Sequence, residues 1–442
     1  MHVNYFRLVI PIALALPAAS QQTATDPAAV LQQTGERLLQ DLQRMPRYTC
    51  VQTVTRTHYE SQQKSRPTCS GLIAAHETRK HKLPTLGWDR LRLEVALVDG
   101  SSVYSWVGAP RFTDDTVDKL AGNGPLGSGD FGIFLKEILL RTTLVFQGEH
   151  VLDGRRLLEY SYDIPINKST YKVNTSDGWA VTAFSGTLLL APETSDLVRL
   201  TVRTGELPST SSACQAISEV TYERTAIHER PVLVPHETQL SIISLNGEES
   251  LSHTSYANCR EYASTVKLIF DGAKSDGAKS TPVPVTTMTV AAPPTKLPAG
   301  LHFDARIITP IDSDTAAAGD PIEAVLRSPM RNHKKEIIAP AGSRLHGRLR
   351  NVKWWSEPSD NFQITVQFES LEIGGKKIPL NAEVYTPLST TLMGANANRM
   401  TLLKPDDPSI GGTFFFREDH LQLKHLDADW ITTAPDADPG KK

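Results

Sequence analysis

Over much of the chain, apolar and polar residues alternate one for one. Leu91, Leu93, Val95 and Leu97 alternate with Arg92, Glu94 and Ala96. Leu158, Tyr160, Tyr162 and Ile164 alternate with Glu159, Ser161 and Asp163, and Val198, Leu200 and Val202 with Arg199, Thr201 and Arg203. A period of two sends successive side chains to opposite faces of a strand, so these runs predict antiparallel sheets with one buried and one wet face. Two stretches depart from it. Asp26 suits an N-cap and Pro27 the first helical position, after which Leu31, Leu38, Leu42 and Met45 share one helical face until Pro46. A second helix is expected over 131–140, capped by Asp130, with Phe134 and Ile138 four residues apart. The expected class is mainly β with two helices.

Breaks in the pattern divide the chain. Arg7 precedes the apolar stretch Leu8 to Leu16, and Ala18 and Ser20 are the small residues that a signal peptidase needs, so residues 1–20 read as a signal peptide cleaved near Gln21. That stretch is shorter than the roughly 20 residues of a membrane span. The next best apolar run, 138–146, is interrupted by Arg141, so no transmembrane segment is expected in the mature chain. Residues 271–296 hold a direct DGAKS repeat and four prolines without apolar periodicity, the mark of a linker. The expected domains are therefore 21–270 and 297–433, with a disordered tail over 434–442.

Charge and cysteines narrow the function classes. A net charge of −3 without a basic cluster argues against a nucleic-acid partner and gives no overall pull towards anionic lipid. The four cysteines all lie before residue 270, and an even number in an exported chain reads as two disulfides. Their spacing matches no zinc pattern, and no cofactor is implied. Three pairings are open. The segment from Cys214 to Cys259 reads as a three-strand meander, which would hold those two residues roughly 9.5 Å apart, too far for a bridge. The reading leans to Cys50–Cys259 with Cys69–Cys214.

Specific phrases add two resemblances. The first helix followed by YTCVQTVTR (48–56), DRLRLEVALVDGSSVYSW (89–106) and GTLLLAPETSDLVRLTV (186–202) resembles, over about 230 residues, the LolA/RseB-type fold. That resemblance implies a curved antiparallel sheet, a half-barrel closed by a plug helix. Trp106, Phe134, Ile138 and Leu139 would then line the cavity between sheet and plug, or else fill it as a core without ligand. The phrases IDSDTAAAGDPIEAVL (311–326), IIAPAGSRLHG (337–347) and VQFESLEIGGKKIPL (366–380) are similar to the barrel domain of TrbI-like proteins of type IV secretion channels. This implies a second, small β-barrel domain. The membrane helix and the apolar two-helix hairpin of those channels are missing, so a channel is not implied. The two-domain arrangement is similar to that of secreted bacterial proteins of this kind.

The catalytic look-alikes in the chain fail on their own spacing or context. HETRKH (76–81) is one residue too long for the zinc motif HExxH and reads as a solvated loop. GAKSDGAKS lacks the Gly-Lys pair of a phosphate loop, DFG (130–132) lacks kinase context, and there is no GxSxG elbow. The carboxylate pairs Asp114–Asp115 and Asp406–Asp407 sit in polar, turn-like surroundings. Trp354–Trp355 is more informative, because neighbours on a strand point to opposite faces. The pair forms either a flat platform for a glycan or partner, or one core indole and one covering the barrel end. The expected function is a non-enzymatic extracytoplasmic binding protein. Its first domain would hold an apolar ligand, a lipid or acylated protein, and its second would dock an envelope protein. The alternatives are a structural or assembly scaffold of the envelope and, third, an envelope hydrolase.

Overall fold

In a computed structural model, residues 26–61, 67–98, 101–109, 112, 120, 131–176, 178–262, 296–357, 360–385, 400–403 and 411–433 are described. Strands make up 58% of them, with three short helices. The protein is mainly β, built on a large antiparallel sheet. The leader, most of the linker and the C-terminal tail lie outside the described residues, as do Asp114–Asp115, Asp130 and Asp406–Asp407.

Helix α1 (Pro27–Gln43) starts as its sequence dictates, with the Asp26 carboxylate accepting from the Ala28 N–H at 3.0 Å. It buries Val30, Thr34 and Leu38. Next come β1 (Tyr48–Tyr59) and α2 (Cys69–Thr78), followed by β2 (Thr85–Val98), β3 (Ser101–Trp106) and α3 (Phe131–Arg141). The strands β4 (Val145–Leu152), β5 (Arg155–Ile164), β6 (Lys172–Thr175), β7 (Gly178–Val181), β8 (Phe184–Ala191) and β9 (Asp196–Thr204) lead to three long ones. These are β10 (Ala213–Ile227), β11 (Arg230–Ser244) and β12 (Glu249–Glu261). Apart from the β6–β7 hairpin, they pair antiparallel in the order β4-β5-β8-β9-β10-β11-β12-β1-β2-β3.

The pairing register places Tyr160, Leu188, Leu200, Val220, Thr238, Thr254, Val54 and Leu91 in one row across this sheet, and so on one face. Helices α1 and α3 cover the β5–β10 part of that inner face. Leu135 and Ile138 of α3 join Val30 and Leu38 of α1 over Leu158, Tyr160, Phe184, Leu188 and Leu200. Cys50–Cys259 joins β1 to β12, and Cys69–Cys214 joins α2 to β10.

Helix α2 was not anticipated. The charges of HETRKH suggested a solvated loop, yet Thr68 caps this helix by accepting from the Gly71 N–H at 3.2 Å. His76 Nδ1 and Arg79 both reach the Glu249 carboxylate, at 2.9 and 2.7 Å. Leu72 and the Cys69 bridge do the rest, packing against Cys214 and Ile243. Tertiary contacts outweigh a weak local signal here.

The second half runs β13 (His302–Ile307), β14 (Ile311–Asp312), β15 (Pro321–Leu326), β16 (Met330–Arg331), β17 (Ile337–Ala339), β18 (Arg344–Trp355) and β19 (Asn361–Ile373). It closes with β20 (Lys376–Pro379), β21 (Ala382–Val384), β22 (Met400–Leu403), β23 (Gly412–Phe416), β24 (Gln422–Leu423) and β25 (Leu426–Thr432). The main order is β21-β25-β13-β15-β18-β19-β23-β22, with β20 on the far end of β19. These strands enclose a single core around Trp430, whose ring lies 4.6 Å from that of Phe368. A Cβ at Gly412 would meet Trp430 Cη2 at 2.6 Å, so only glycine lets β23 pass this ring.

The two halves meet along the outer edge of β2. Its residues 93–98 pair with β3, while Gly87, Trp88 and Asp89 pair with Trp355, Trp354 and Lys353 of β18. Between these, Ala318 donates to the Arg90 carbonyl at 2.8 Å and accepts from the Arg92 N–H at 2.7 Å. Side chains reinforce the seam. Arg92 pairs with Asp320, Arg90 donates to the Ser313 carbonyl at 2.9 Å, and Arg348 donates to the Val107 carbonyl at 3.2 Å. Gly319 sits at φ +103°, and a Cβ there would lie 2.2 Å from the Arg92 carbonyl oxygen and 2.8 Å from the Trp106 ring.

The seam generates an expectation about the halves. After a single proteolytic cut within 271–296, the fragments should co-elute on gel filtration. Gly319→Val should make them separate while each keeps a β-sheet circular dichroism spectrum. Separation of the cut wild type would show the seam to be too weak to hold them. A second expectation concerns the bridges. Each disulfide should contribute about 2–4 kcal/mol to the first half, so reductant should lower the melting transition of that half and spare the cysteine-free one.

Candidate functional site

A cleft of about 450 Å³ opens where the β1–β2 end of the inner face meets β18. One side is made by Arg56 and His58 of β1 and by Leu86, Gly87, Trp88, Asp89 and Leu91 of β2. The other comes from β18, with Arg350, Asn351, Lys353, Trp354 and Trp355, and Leu120 also lines it. Strand register explains the first side. Val54 pairs with Leu91, Arg56 with Asp89 and His58 with Gly87, so alternate residues of both strands face the same way. The floor is apolar. Leu91 and Leu120 belong to a buried group with Val54, Leu93, Trp106 and Ala318.

Two features set the electrostatics. Arg56 is 4% exposed and grips Asp89 with two hydrogen bonds, one from Nε at 2.8 Å and a second from Nη2. Such a fork neutralises both groups. Arg350 lies over the Trp106 ring, 4.8 Å from its centroid, and Arg90 lies 5.0 Å from the centroid of Trp88. Burial and the neighbouring Arg92 lower the Arg90 pKa, against the pull of Asp314 and Asp320.

Deeper along the same face, between cleft and helix-covered core, the inner surface turns polar. Gln52 is fully buried, and neither of its amide atoms has a partner among the described residues. The Tyr222 hydroxyl is likewise buried and unpartnered there. Burial pushes the Tyr48 phenol up to about 12. It raises Tyr256 and Tyr222 as well, with help from neighbouring tyrosines.

The sequence-derived candidates fall in different places. Ile138 is fully buried beneath α1, and Leu139 packs half-buried against the same cluster, close to Gly35. Phe134 lies on α3, its side chain outside the described set. Trp106 is 8% exposed but belongs to the separate group under the cleft. The structure therefore does not bring Trp106 together with Ile138 and Leu139. It does bring Trp354 and Trp355 to the cleft, both half-buried. Trp354 packs on the second core, its indole N–H buried without an acceptor among the described residues, and Trp355 meets Phe415 edge-on at 6.0 Å. Sequence reasoning missed Arg56, Asp89, Trp88 and Arg350. An Arg and an Asp at the wet-to-dry positions of two alternating strands were the available signal for the first pair.

One constellation resembles catalytic chemistry. Ser313 Oγ lies 3.1 Å from His420 Nδ1, and Asp314 lies 3.4 Å from that same nitrogen. A nucleophile–base–acid relay needs the two ring nitrogens to serve different partners. Here both partners meet Nδ1, and Ser313 Oγ also accepts from the Leu421 N–H at 3.1 Å. Asp312, which with Asp314 and His420 forms a loose acidic cluster, accepts from the Asp314 N–H and from Gln422. These bonds account for the geometry.

No family model matches the chain, and no curated protein matches it. Among solved structures, a DUF1329 family protein from Desulfovibrio piger aligns at 11% identity and a TM-score of 0.26, over 55% of this chain and 94% of the other. A LolA superfamily protein from Nitrosomonas europaea aligns at 8% identity and a TM-score of 0.24, over 53% and 93%. At these values neither carries a functional argument. The functional reading rests on the site.

Two measurements test this description. Asp89→Asn should destabilise the protein by about 3–5 kcal/mol in urea, since it leaves the buried Arg56 charge uncompensated. Alkaline pH should also weaken the fold. A phenol raised from 10.0 to about 12 keeps its full contribution below its unfolded pKa of 10.0. As pH rises from there through about 12, the unfolded chain releases its proton first and stability falls by about 3 kcal/mol from Tyr48 alone. Urea midpoints and phenolate absorbance across that window should move together.

Proposed function

We propose that this protein is an exported, non-enzymatic binding protein of the cell envelope. It holds an apolar or amphiphilic ligand, a lipid or the acyl group of an acylated protein, in the cleft between its halves. One observation carries the reading: the cleft of about 450 Å³ walled by Trp88, Trp354, Trp355, Leu86, Leu91 and Leu120, with Arg56, His58, Asp89, Arg350, Asn351 and Lys353 as its polar groups. Small-molecule sites are concave, mainly apolar and about 300–1,000 Å³ in volume. The leader-like start and the two disulfides support export. Among the described residues, no helix is long and apolar enough to cross a membrane. The second half contributes one wall of the cleft, and its remaining surface would dock an envelope partner.

A second reading has its own support. The helix-covered part of the inner face is closely packed, with Ile138 and Leu158 fully buried, as a purely structural scaffold would have it. A fluorescent fatty-acid probe separates the two. It should bind the full mature chain one-to-one, and Trp354→Ala should weaken binding at least tenfold at a temperature where circular dichroism shows the variant still folded. Leu139→Ala, away from the cleft, should leave binding within twofold. If the wild type takes up no lipid probe, the scaffold reading replaces this one. If Leu139→Ala abolishes binding and Trp354→Ala does not, the ligand sits under the plug helix instead.

A further inference from the structure

We infer that the inner face beside the cleft holds a buried site for a neutral hydrogen-bonding group, formed by Gln52, Ser252 and Tyr222. The ligand is an apolar chain bearing a hydroxyl or an amide that seats there. The inference rests on the cleft being the binding site. Gln52 and Ser252 are both fully buried. Neither amide atom of Gln52, nor the hydroxyl of Ser252 or of Tyr222, meets a hydrogen-bond partner among the described residues. Strand alternation puts all three on the inner face. Ser252 pairs across from Arg56, which lines the cleft, and Gln52 lies further along β1, across from Tyr256. Tyr222 is close enough to Tyr256 and Tyr48 for their phenols to raise its own pKa. At a strand rise of about 3.4 Å per residue, these polar atoms begin beside a cleft residue and reach roughly 14 Å inwards.

These atoms weaken the fold as it stands. Gln52 sits in its row between Leu93 and Tyr256, and a leucine there would leave no amide stripped of water. Their chemistry defines what relieves the cost. A glutamine amide both donates and accepts, as does each hydroxyl. An ester only accepts, and leaves the Gln52 carbonyl unmet. A carboxylate or an ammonium would bring charge to a place that disfavours it. Burial pushes the Tyr48 phenol up to about 12 and raises those of Tyr256 and Tyr222. Arg56, across from Ser252, is already held by Asp89. A hydroxyl or an amide supplies donor and acceptor together without charge. Its chain then runs back past Val54 and Leu91 towards Trp88 and Trp354.

The test titrates the full mature chain, by calorimetry, with four probes of equal acyl length below their micelle concentrations. Monododecanoylglycerol and N-dodecanoylglycinamide should each bind at least tenfold more tightly than methyl dodecanoate and dodecanoate. The ratio of the first two tells whether lipid hydroxyls or the amide of an N-acylated protein is the better fit. Gln52→Leu should raise the melting temperature of the ligand-free protein by a few degrees. It should also lower the affinity for both favoured probes at least tenfold, to the level of the ester. Tyr222→Phe, which removes one oxygen and keeps the ring, should lower the same two affinities at least threefold and leave the ester within twofold. Equal affinity for all four probes overturns the buried site while leaving the cleft as the binding site. So does a Gln52→Leu variant that keeps the preference, its glutamine then being served by internal water. Failure of every probe to bind overturns the proposed function as well.

Discussion

Every backbone N–H and C=O on a strand edge needs a partner, and the outer edge of β2 is where this protein meets that demand in an unusual way. Three separate segments share the edge: β3 takes residues 93–98, the Ala318 strand crossing takes 90–92, and the end of β18 takes 87–89. Because two of the three come from the second half, satisfying one edge joins two sheets into one of 19 strands. The seam also sets the register of everything near it. Arg92 opposite Asp320, Arg350 over Trp106 and Trp354 beside Trp88 follow from which β18 residues pair with β2. Gly319 is the narrow point, since any side chain there would strike the β2 backbone.

The cleft is a by-product of that junction. The inner face of the first sheet is wider than its two helices can cover, so α1 and α3 seal the β5–β10 portion and leave the β1–β2 end to the second half. Between the sealed and open portions lies a belt with Gln52, Tyr222, Tyr256 and Tyr48, buried yet polar. A buried amide or phenol without a partner is costly, and natural sequences keep such groups where something polar comes to meet them. The face therefore changes from apolar core, through a polar belt, to an aromatic cleft with cations on one lip.

Charge illustrates how far a whole-chain average can mislead about a site. The formal −3 is spread over 442 residues. Within the cleft, the fork between Arg56 and Asp89 neutralises both groups, so the local balance does not follow the average. Ser313, His420 and Asp314 are likewise not a relay, since Ser313 and Asp314 both meet the same His420 nitrogen. Their geometry is fixed by the hydrogen bonds that shape a turn, not by those that move a proton.

By itself, the sequence determined what short-range chemistry decides. Period-two alternation placed β2, β5 and β9, and Asp26 with Pro27 started α1, because side-chain direction and capping depend on neighbours a few residues away. It also marked Trp354 and Trp355 as worth following, though not what they would face. Tertiary structure alone decided the rest. Helix α2 owes its anchorage to Glu249, some 170 residues away from Arg79, and the Arg56–Asp89 fork needs β1 beside β2 in one register. Trp106 and Ile138, which look alike in sequence as large apolar residues of one domain, end in separate clusters because α3 and the second half cover different parts of the same face. Which strand edge β18 would complete depends on hydrogen-bond groups that every residue but proline carries, and a pattern of side chains holds no record of that choice.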